Sequence, residues 1–362
     1  MPRDCLRSFE VTIDAPSIGP VNPRHAFDAE RLREWLRSQV TDAGGEIGLA
    51  QFEGGQSNPT YLVDVGNRKL VLRRKPPGTL LPSAHAVDRE FRIMRALAGT
   101  GVPVPTCLAL CEDASVIGSA FFVMEYVEGR IFRDPTLASL PQDARRPIYN
   151  EMNRVIAGIH SLDPNELGVG DYGRQGGYIQ RQVQRWTSQY RASQTEDIPA
   201  MERLIEWLPL HIPPGDETRI VHGDFRLDNL IFHPREPRIL AVLDWELSTL
   251  GHPLADFAYH CLSWYRSPDT KQGMWGLDLG AIGVPSVDEY LAAYCARLGR
   301  DVLTRHDWEY YIVFNMFRLV GILQGVAKRA IQGNASSVQA EQMGRGARPL
   351  AEQAWQRVAA LE

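Results

Sequence analysis

At 362 residues the chain is long enough for one large core or two smaller ones, and 44% apolar with 23% charged residues is the balance of a soluble folded protein. A net charge of −5 with no run of basic residues gives no footprint for nucleic acid or an anionic membrane surface, so neither partner is expected. Five scattered cysteines (Cys5, Cys107, Cys111, Cys261, Cys295) without a CxxC pair argue against a disulfide framework or a zinc site and fit a reducing cytoplasm.

The first 25 residues are broken by prolines and by Asp4, Arg7, Glu10 and Asp14, so they read as an irregular arm with no signal-peptide core. Residues 28–41 form an amphipathic pattern with Leu32, Trp35, Leu36 and Val40 on one side, which predicts a helix. Three short β-type segments follow at 46–52, 60–65 and 69–75. Gly54-Gly55-Gln56-Ser57-Asn58-Pro59 separates the first two, and Gly66-Asn67 is a hairpin turn between the second and third. A helix is predicted over 84–98, with Val87, Phe91, Met94 and Leu97 apolar, then strands around 107–112 and 120–126. Beyond residue 130 the pattern turns mainly helical. Its most apolar stretch, 312–327, carries Asn315, Arg318 and Gln324, too polar to span a membrane without partners.

The helical half is interrupted by a strand-rich segment at 219–244 that carries the chemistry. Arg219-Ile220-Val221 leads into His222-Gly223-Asp224-Phe225-Arg226-Leu227-Asp228-Asn229; Leu230–Phe232 is a second strand and Ile239–Leu243 a third, which ends at Asp244. Asp-x4-Asn followed by a strand-terminal Asp is the donor set of kinase-like phosphoryl transfer. In that template the first Asp orients the acceptor hydroxyl, and the Asn and the later Asp hold a metal ion against the nucleotide phosphates. A second pattern, Gly168-x-Gly170-x-x-Gly173, fits a dinucleotide-binding expression. It follows the helical stretch 148–162 rather than a strand and fails its context. No Gly-Lys pair occurs, which excludes a Walker A loop.

These strings, together with GGQSNPTYLV (54–63), VLRRKPPG (71–78), FVMEYVEGR (122–130), YIQRQVQRWTSQY (178–190), HGDFRLDNLIFHP (222–234) and VLDWELSTLGHPLAD (242–256), resemble the aminoglycoside phosphotransferase family. Within it they are most similar to the kinase-like branch that is free-standing in bacteria and fused to acyl-CoA dehydrogenases in some animals. The resemblance covers most of the chain. It implies an α+β, two-lobed protein-kinase-like fold: a small antiparallel-sheet N-terminal lobe with its arm and helix over 1–126, and a larger, mainly helical lobe over 127–362 for catalysis and acceptor binding. The sequence ends at Glu362 soon after the last expected helix, so no dehydrogenase domain is expected to follow.

The resemblance also implies roles, with ATP (or GTP) and Mg2+ as cofactors. Gly54, Gly55, Gln56, Ser57 and Asn58 would cover the nucleotide phosphates with backbone N–H groups. The kinase lysine position falls on Arg73, whose guanidinium can grip phosphate oxygens in a fork. Lys75, on the same strand face and one of only four lysines, is the second candidate. Glu90 would be the counter-ion of that cation. The backbone of Glu125 and Val127 would meet the adenine edge. Asp224 would be the base, with Asn229 and Asp244 the metal ligands; His222 would orient the loop, and Asp256 would brace it. Arg226 and Asp228 would pair, and Glu246 would support the metal.

On the acceptor side, Tyr178, Arg181, Gln182, Arg185, Trp186 and Gln189 share one helical face, and Tyr310, Tyr311, Asn315 and Arg318 on a later helix are similar candidates. Arginines in that region favour an anionic acceptor, such as a hydroxyacyl-CoA, over a polycationic drug. The expected activity is thus γ-phosphoryl transfer to a small-molecule hydroxyl. An aminoglycoside or macrolide phosphotransferase is the second enzyme reading, and a silent nucleotide-binding pseudokinase is the non-catalytic one. A flavin-dependent dehydrogenase is a remote third.

Overall fold

The computed structural model describes residues 17–53, 58–76, 86–270, 272–332 and 344–361. The chain divides into two compact units, one formed by residues 1–155, 226–247 and 277–286 and the other by the remaining segments. This grouping differs from a boundary at 126/127 chiefly in placing 127–155 and the 226–247 hairpin with the N-terminal sheet.

In the first unit, β1 (Ile18–Gly19), β2 (Ile47–Phe52), β3 (Thr60–Val65), β4 (Arg68–Arg74), β5 (Cys107–Cys111) and β6 (Phe121–Glu125) form one antiparallel sheet in the order β1-β2-β3-β4-β6-β5. The arm expected to be irregular thus contributes an edge strand. Gly66, with φ +59°, makes the tight β3–β4 turn, a conformation that costs glycine nothing. Helix α1 (Ala29–Gln39) is capped by the Asp28 carboxylate, which accepts from the N–H groups of Glu30 and Arg31 at 3.0 and 3.2 Å. Its Leu32 and Leu36 pack with Tyr61, Val63, Leu70, Leu72, Phe121 and Val123 from one face of the sheet.

Period-2 alternation therefore turns Arg73 to the other face, where α2 (Val87–Leu97) buries Val87, Glu90, Ile93, Met94 and Leu97. After a short helix α3 (Ala114–Ile117), the long α4 (Gln142–Ser161) contributes residues to both units.

In the second unit, β7 (Arg219–Val221) pairs with a strand that sequence patterning did not anticipate, Thr249–Gly251, here β10. Between them in sequence, β8 (Leu230–Phe232) and β9 (Ile239–Val242) form a hairpin that belongs to the first unit. The rest of the second unit is helical: α5 (Tyr178–Ser193), α6 (Pro199–Trp207), α7 (Pro253–His260), α8 (Val287–Arg297), α9 (Arg305–Ile331) and α10 (Ala347–Ala359). By length and composition α9 could cross a membrane, but 67% of its apolar window is buried within the protein, the pattern of a core helix. Phe257 of α7 stacks on Tyr294 of α8 with ring centroids 3.8 Å apart. The Gly168–Gly173 pattern lies in turns after α4, with no strand before it.

Candidate active site

The first unit concentrates charge around Arg73. Its Nε lies 3.0 Å from one Glu90 oxygen and 3.1 Å from the other, and its Nη2 lies 2.5 Å from Asp244 Oδ1. Glu246 stands 3.7 Å away. One guanidinium therefore links a helix carboxylate to the strand-end carboxylate, as its forked geometry permits. Burial works against the charge on Arg73, but Glu90, Asp244 and Glu246 outweigh it and raise its pKa.

Glu90 is 1% exposed. Burial pushes its carboxyl up to about 7; Arg73 opposes this, while Asp244 and Glu246 add to it. The folded protein then holds a proton that the unfolded chain releases between the ordinary 4.5 and about 7. The stability Glu90 contributes is complete below that window and is lost as pH rises through it. Thermal melts from pH 4.5 to 8 should show the wild type losing Tm relative to Glu90→Gln as pH increases; parallel curves would refute the assignment.

The hairpin explains how Asp244 arrives there. Leu243 N–H donates to the Asn229 carbonyl at 2.8 Å, and Asn229 N–H to the Arg226 carbonyl at 3.0 Å, so the two oxygen-bearing side chains flank one short ladder. Asp244 adopts φ +64°, a left-handed conformation that is uncommon outside glycine and concentrates at functional sites. The turn that follows, Trp245–Leu247, packs against α2, and the Trp245 indole donates to the Val242 carbonyl at 3.0 Å.

Among the described residues there is no cluster of three or more His, Cys, Asp or Glu able to hold a metal ion. An amide oxygen and a carboxylate fit magnesium, which takes few protein ligands and completes its shell with phosphate oxygens and water.

Other expected positions in this unit fall as follows. Asn58 is buried, and its amide donates to Glu90 Oε1 at 3.0 Å, tying the loop before β3 to α2. Gly54, Gly55, Gln56 and Ser57 lie outside the described residues. Lys75 pairs with Asp88 at 3.4 Å, so Arg73 and not Lys75 holds the Glu90 ion pair. Glu125 donates its N–H to the Thr106 carbonyl at 2.9 Å, and its side chain pairs with Arg68; Val127 is half-buried just past β6. Arg226 and Asp228 form the expected pair at 3.3 Å.

The second unit holds Asp224. The loop before it is pinned by Asp256, which accepts from the His222 and Gly223 N–H groups at 2.8 Å each and meets His160 Nε2 at 3.2 Å. Burial pushes the Asp256 carboxyl up, but His160 and His222 outweigh it and hold the pKa below the usual range. His222 Nδ1 accepts from Asp224 N–H at 3.2 Å, so this histidine shapes the loop. His260, driven down to about 4 by burial and so neutral, sits 3.1 Å from the Phe225 carbonyl. The Asp256→Ala chain strands two buried N–H donors, at about 1–3 kcal/mol each. Urea unfolding should show that loss, smaller in Asp256→Asn, which keeps an acceptor oxygen.

Asp224 has a partner that sequence reasoning missed. Tyr259 of α7 donates to its Oδ1 at 3.1 Å. The available signal was the i, i+3 spacing of Asp256 and Tyr259, which puts the brace and the phenol on the same side of one helix.

The acceptor candidates separate. Tyr178 packs against Gly251, whose absent Cβ would fall 2.9 Å from its ring. Burial raises the Tyr178 pKa, with Arg318, Arg185 and Arg181 pulling it down. Arg185 is exposed, over the buried Trp186 ring at 5.9 Å. Arg181 donates to the carbonyls of Gly176 and Arg174 and so supports the loop before α5. Arg318 lies over the rings of Tyr259 at 4.6 Å and Trp186 at 5.6 Å, and donates to the Gly223 carbonyl at 3.2 Å. Tyr310, Tyr311 and Asn315 are core residues; Tyr310 bonds the Leu208 carbonyl and Asn315 the Ala255 carbonyl.

An antiparallel sheet, a helix glutamate paired to a strand cation, and the Asp–Asn–Asp hairpin segment define a two-lobed, protein-kinase-like α+β phosphotransferase fold. A model of the phosphotransferase enzyme family (APH) matches residues 48–308, and the chain belongs to that family. It is 50% identical over 355 residues to mouse acyl-CoA dehydrogenase family member 10, covering 97% of this chain and 33% of that protein. It is 43% identical over 343 residues to human acyl-CoA dehydrogenase family member 11, covering 92% and 44% respectively. The chain thus spans between a third and under half of the length of these two relatives.

Among solved structures, a Ralstonia eutropha protein described as a candidate aminoglycoside phosphotransferase is 51% identical with a TM-score of 0.86, over 92% of this chain and 99% of that one. A spectinomycin phosphotransferase in complex with ADP and spectinomycin, 14% identical over 91% of this chain and 98% of that one, reaches 0.59 and shows likeness of fold alone.

Proposed function

We propose that this phosphotransferase is a cytoplasmic small-molecule kinase that moves the γ-phosphoryl group of ATP, or GTP, to a hydroxyl of an anionic metabolite, with hydroxyacyl-CoA thioesters as the leading acceptor class. The observation that carries the reading is the Glu90–Arg73–Asp244 ion-pair chain, because a helix-anchored cation beside a metal-binding carboxylate is the arrangement kinase-like catalysis requires. Residues 1–126 would serve as the nucleotide lobe and 127–362 as the catalytic and acceptor lobe.

In this reading Arg73 grips phosphate oxygens, with the backbone of 54–58 over them and that of Glu125 and Val127 toward the adenine. Asn229 and Asp244 would hold magnesium, which when bound neutralises phosphate charge. The acceptor oxygen forms a bond to the γ-phosphorus as the bond to the ADP oxygen breaks, and Asp224 takes the hydroxyl proton. Arg185, exposed near Tyr178, favours an acceptor bearing negative charge. The 51% identity to the Ralstonia protein keeps an aminoglycoside acceptor as the second reading.

Magnesium-dependent ADP release, measured against a panel of hydroxyl compounds that includes hydroxyacyl-CoAs, aminoglycosides and macrolides, decides between them. Acceleration by hydroxyacyl-CoAs supports the first. Acceleration by the drugs alone supports the second. Tight nucleotide binding with no turnover makes the protein a pseudokinase.

A further inference from the structure

The catalytic loop of the second unit is held from two directions, and only one of them is the Asp256 brace. Gly223 has φ +83°, a backbone setting that side chains rarely adopt, so its peptide orientation depends on what holds it. Its N–H is fixed by Asp256 at 2.8 Å and its carbonyl by Arg318 Nη2 at 3.2 Å. The next residue, Asp224, has its Oδ1 engaged by the Tyr259 hydroxyl at 3.1 Å. Arg318 connects the two contacts, because its guanidinium also lies 4.6 Å above the Tyr259 ring. Trp186 bounds the same guanidinium at 5.6 Å, and among the described residues Arg318 Nε has no hydrogen-bond partner. Ring contacts and the Gly223 carbonyl therefore set where Arg318 sits.

We propose that Tyr259 is a positioning residue for phosphoryl transfer: its phenol fixes the orientation of the Asp224 carboxylate, and Arg318 locks both the phenol ring and the Gly223 peptide that leads into Asp224. The proposal rests on the reading of Asp224 as the group that orients and deprotonates the acceptor. A carboxylate on a single-bond pivot turns freely unless one oxygen is held. A small displacement of a catalytic group costs far more in turnover than in binding. Arg318, which sequence patterning offers as an acceptor contact, acts in this proposal through the loop.

The test is magnesium-dependent ADP release from the full chain with the fastest acceptor of the panel, or with water as acceptor where no added compound outpaces it. Tyr259→Phe keeps the ring under Arg318 and removes only the hydroxyl. It is expected to lower kcat about 10- to 100-fold, the scale of a lost hydrogen bond to a charged group, with nucleotide KM and Tm unchanged. Arg318→Met should give a kcat loss of the same kind, and the double variant a loss smaller than the product of the two, as coupled neighbours do. Asp224→Asn separates the two levels of the argument. If it is inactive while Tyr259→Phe turns over like the wild type, the positioning role is overturned and the Asp224 assignment stands. If Asp224→Asn remains as active as the wild type, or the wild type releases no ADP, the reading of the site falls and the positioning role with it. A Tyr259→Phe chain that loses nucleotide affinity and melting temperature together with kcat identifies a merely structural phenol and also overturns the proposal.

Discussion

Replacing Asp224 by Asn is expected to cut acceptor-dependent kcat about 10²- to 10⁴-fold, the range contributed by a positioned general base, while nucleotide KM stays within about twofold. The substitution keeps the shape of the side chain and a hydrogen-bond acceptor for Tyr259, so the 3.1 Å contact survives and the loop need not move. In the proposed mechanism, what is lost is the ability to take a proton from the hydroxyl as it bonds to phosphorus. The contrast with Asn229→Ala or Asp244→Asn is informative, because in the proposed mechanism the first would remove an oxygen donor to magnesium and the second would take the charge from one, and both should raise the magnesium concentration needed for half-maximal rate. An Asp224→Asn enzyme with near-normal kcat, measured by coupled ADP release at saturating magnesium, would show that the hydroxyl loses its proton elsewhere.

The parts of this site that were legible from sequence share a physical property: they depend on local order. Strand alternation alone sends Arg73 to the face opposite Leu70 and Leu72, so its meeting with the helix bearing Glu90 could be anticipated. The spacing of Asp224, Asn229 and Asp244 marks strand ends, and the structure puts Asn229 and Asp244 side by side at the same end of one hairpin ladder.

What patterning did not reveal is set by tertiary packing. Tyr259 reads as an ordinary helix residue and Arg318 as an acceptor contact until α7 and α9 come together around the Asp224 loop. The same packing defeats the aromatic face of α9. Tyr310 and Tyr311 have the spacing of a binding surface, but that helix runs through the core and buries them almost completely. Lys75 shows the limit of residue type as a guide: it is the lysine nearest the kinase position, yet one further step along the strand brings it to Asp88 instead of Glu90. Strand Thr249–Gly251 is not legible because Thr-Leu-Gly has only one large apolar residue and ends in a glycine, unlike the apolar runs of Arg219–Val221 and Leu230–Phe232.

Arg73 should be the residue whose loss costs both folding and chemistry, and the two costs can be separated. In Arg73→Met a side chain of comparable length leaves the 1%-exposed Glu90 carboxyl without its cation and frees Asp244 from its 2.5 Å contact. Breaking one side of a buried ion pair is worth about 3–5 kcal/mol, more than the pair itself contributes, because the remaining charge must be protonated or solvated. Glu90 already holds its proton up to about pH 7, so the deficit should be small in mildly acidic buffer and grow as pH rises past that value. Urea unfolding at pH 6 and pH 8 checks the sign. Combining Arg73→Met with Glu90→Gln removes the orphaned carboxyl and should recover most of the stability without recovering turnover, since the cation that would grip phosphate in the proposed mechanism is still missing. Arg73→Lys tests the fork: an ammonium can face Glu90 but is a point charge that cannot grip Glu90 and Asp244 from two sides at once, so folding should be retained with nucleotide KM raised about tenfold. Equal loss of stability in Arg73→Lys and Arg73→Met would show that the fork, and not the charge, is what the fold requires.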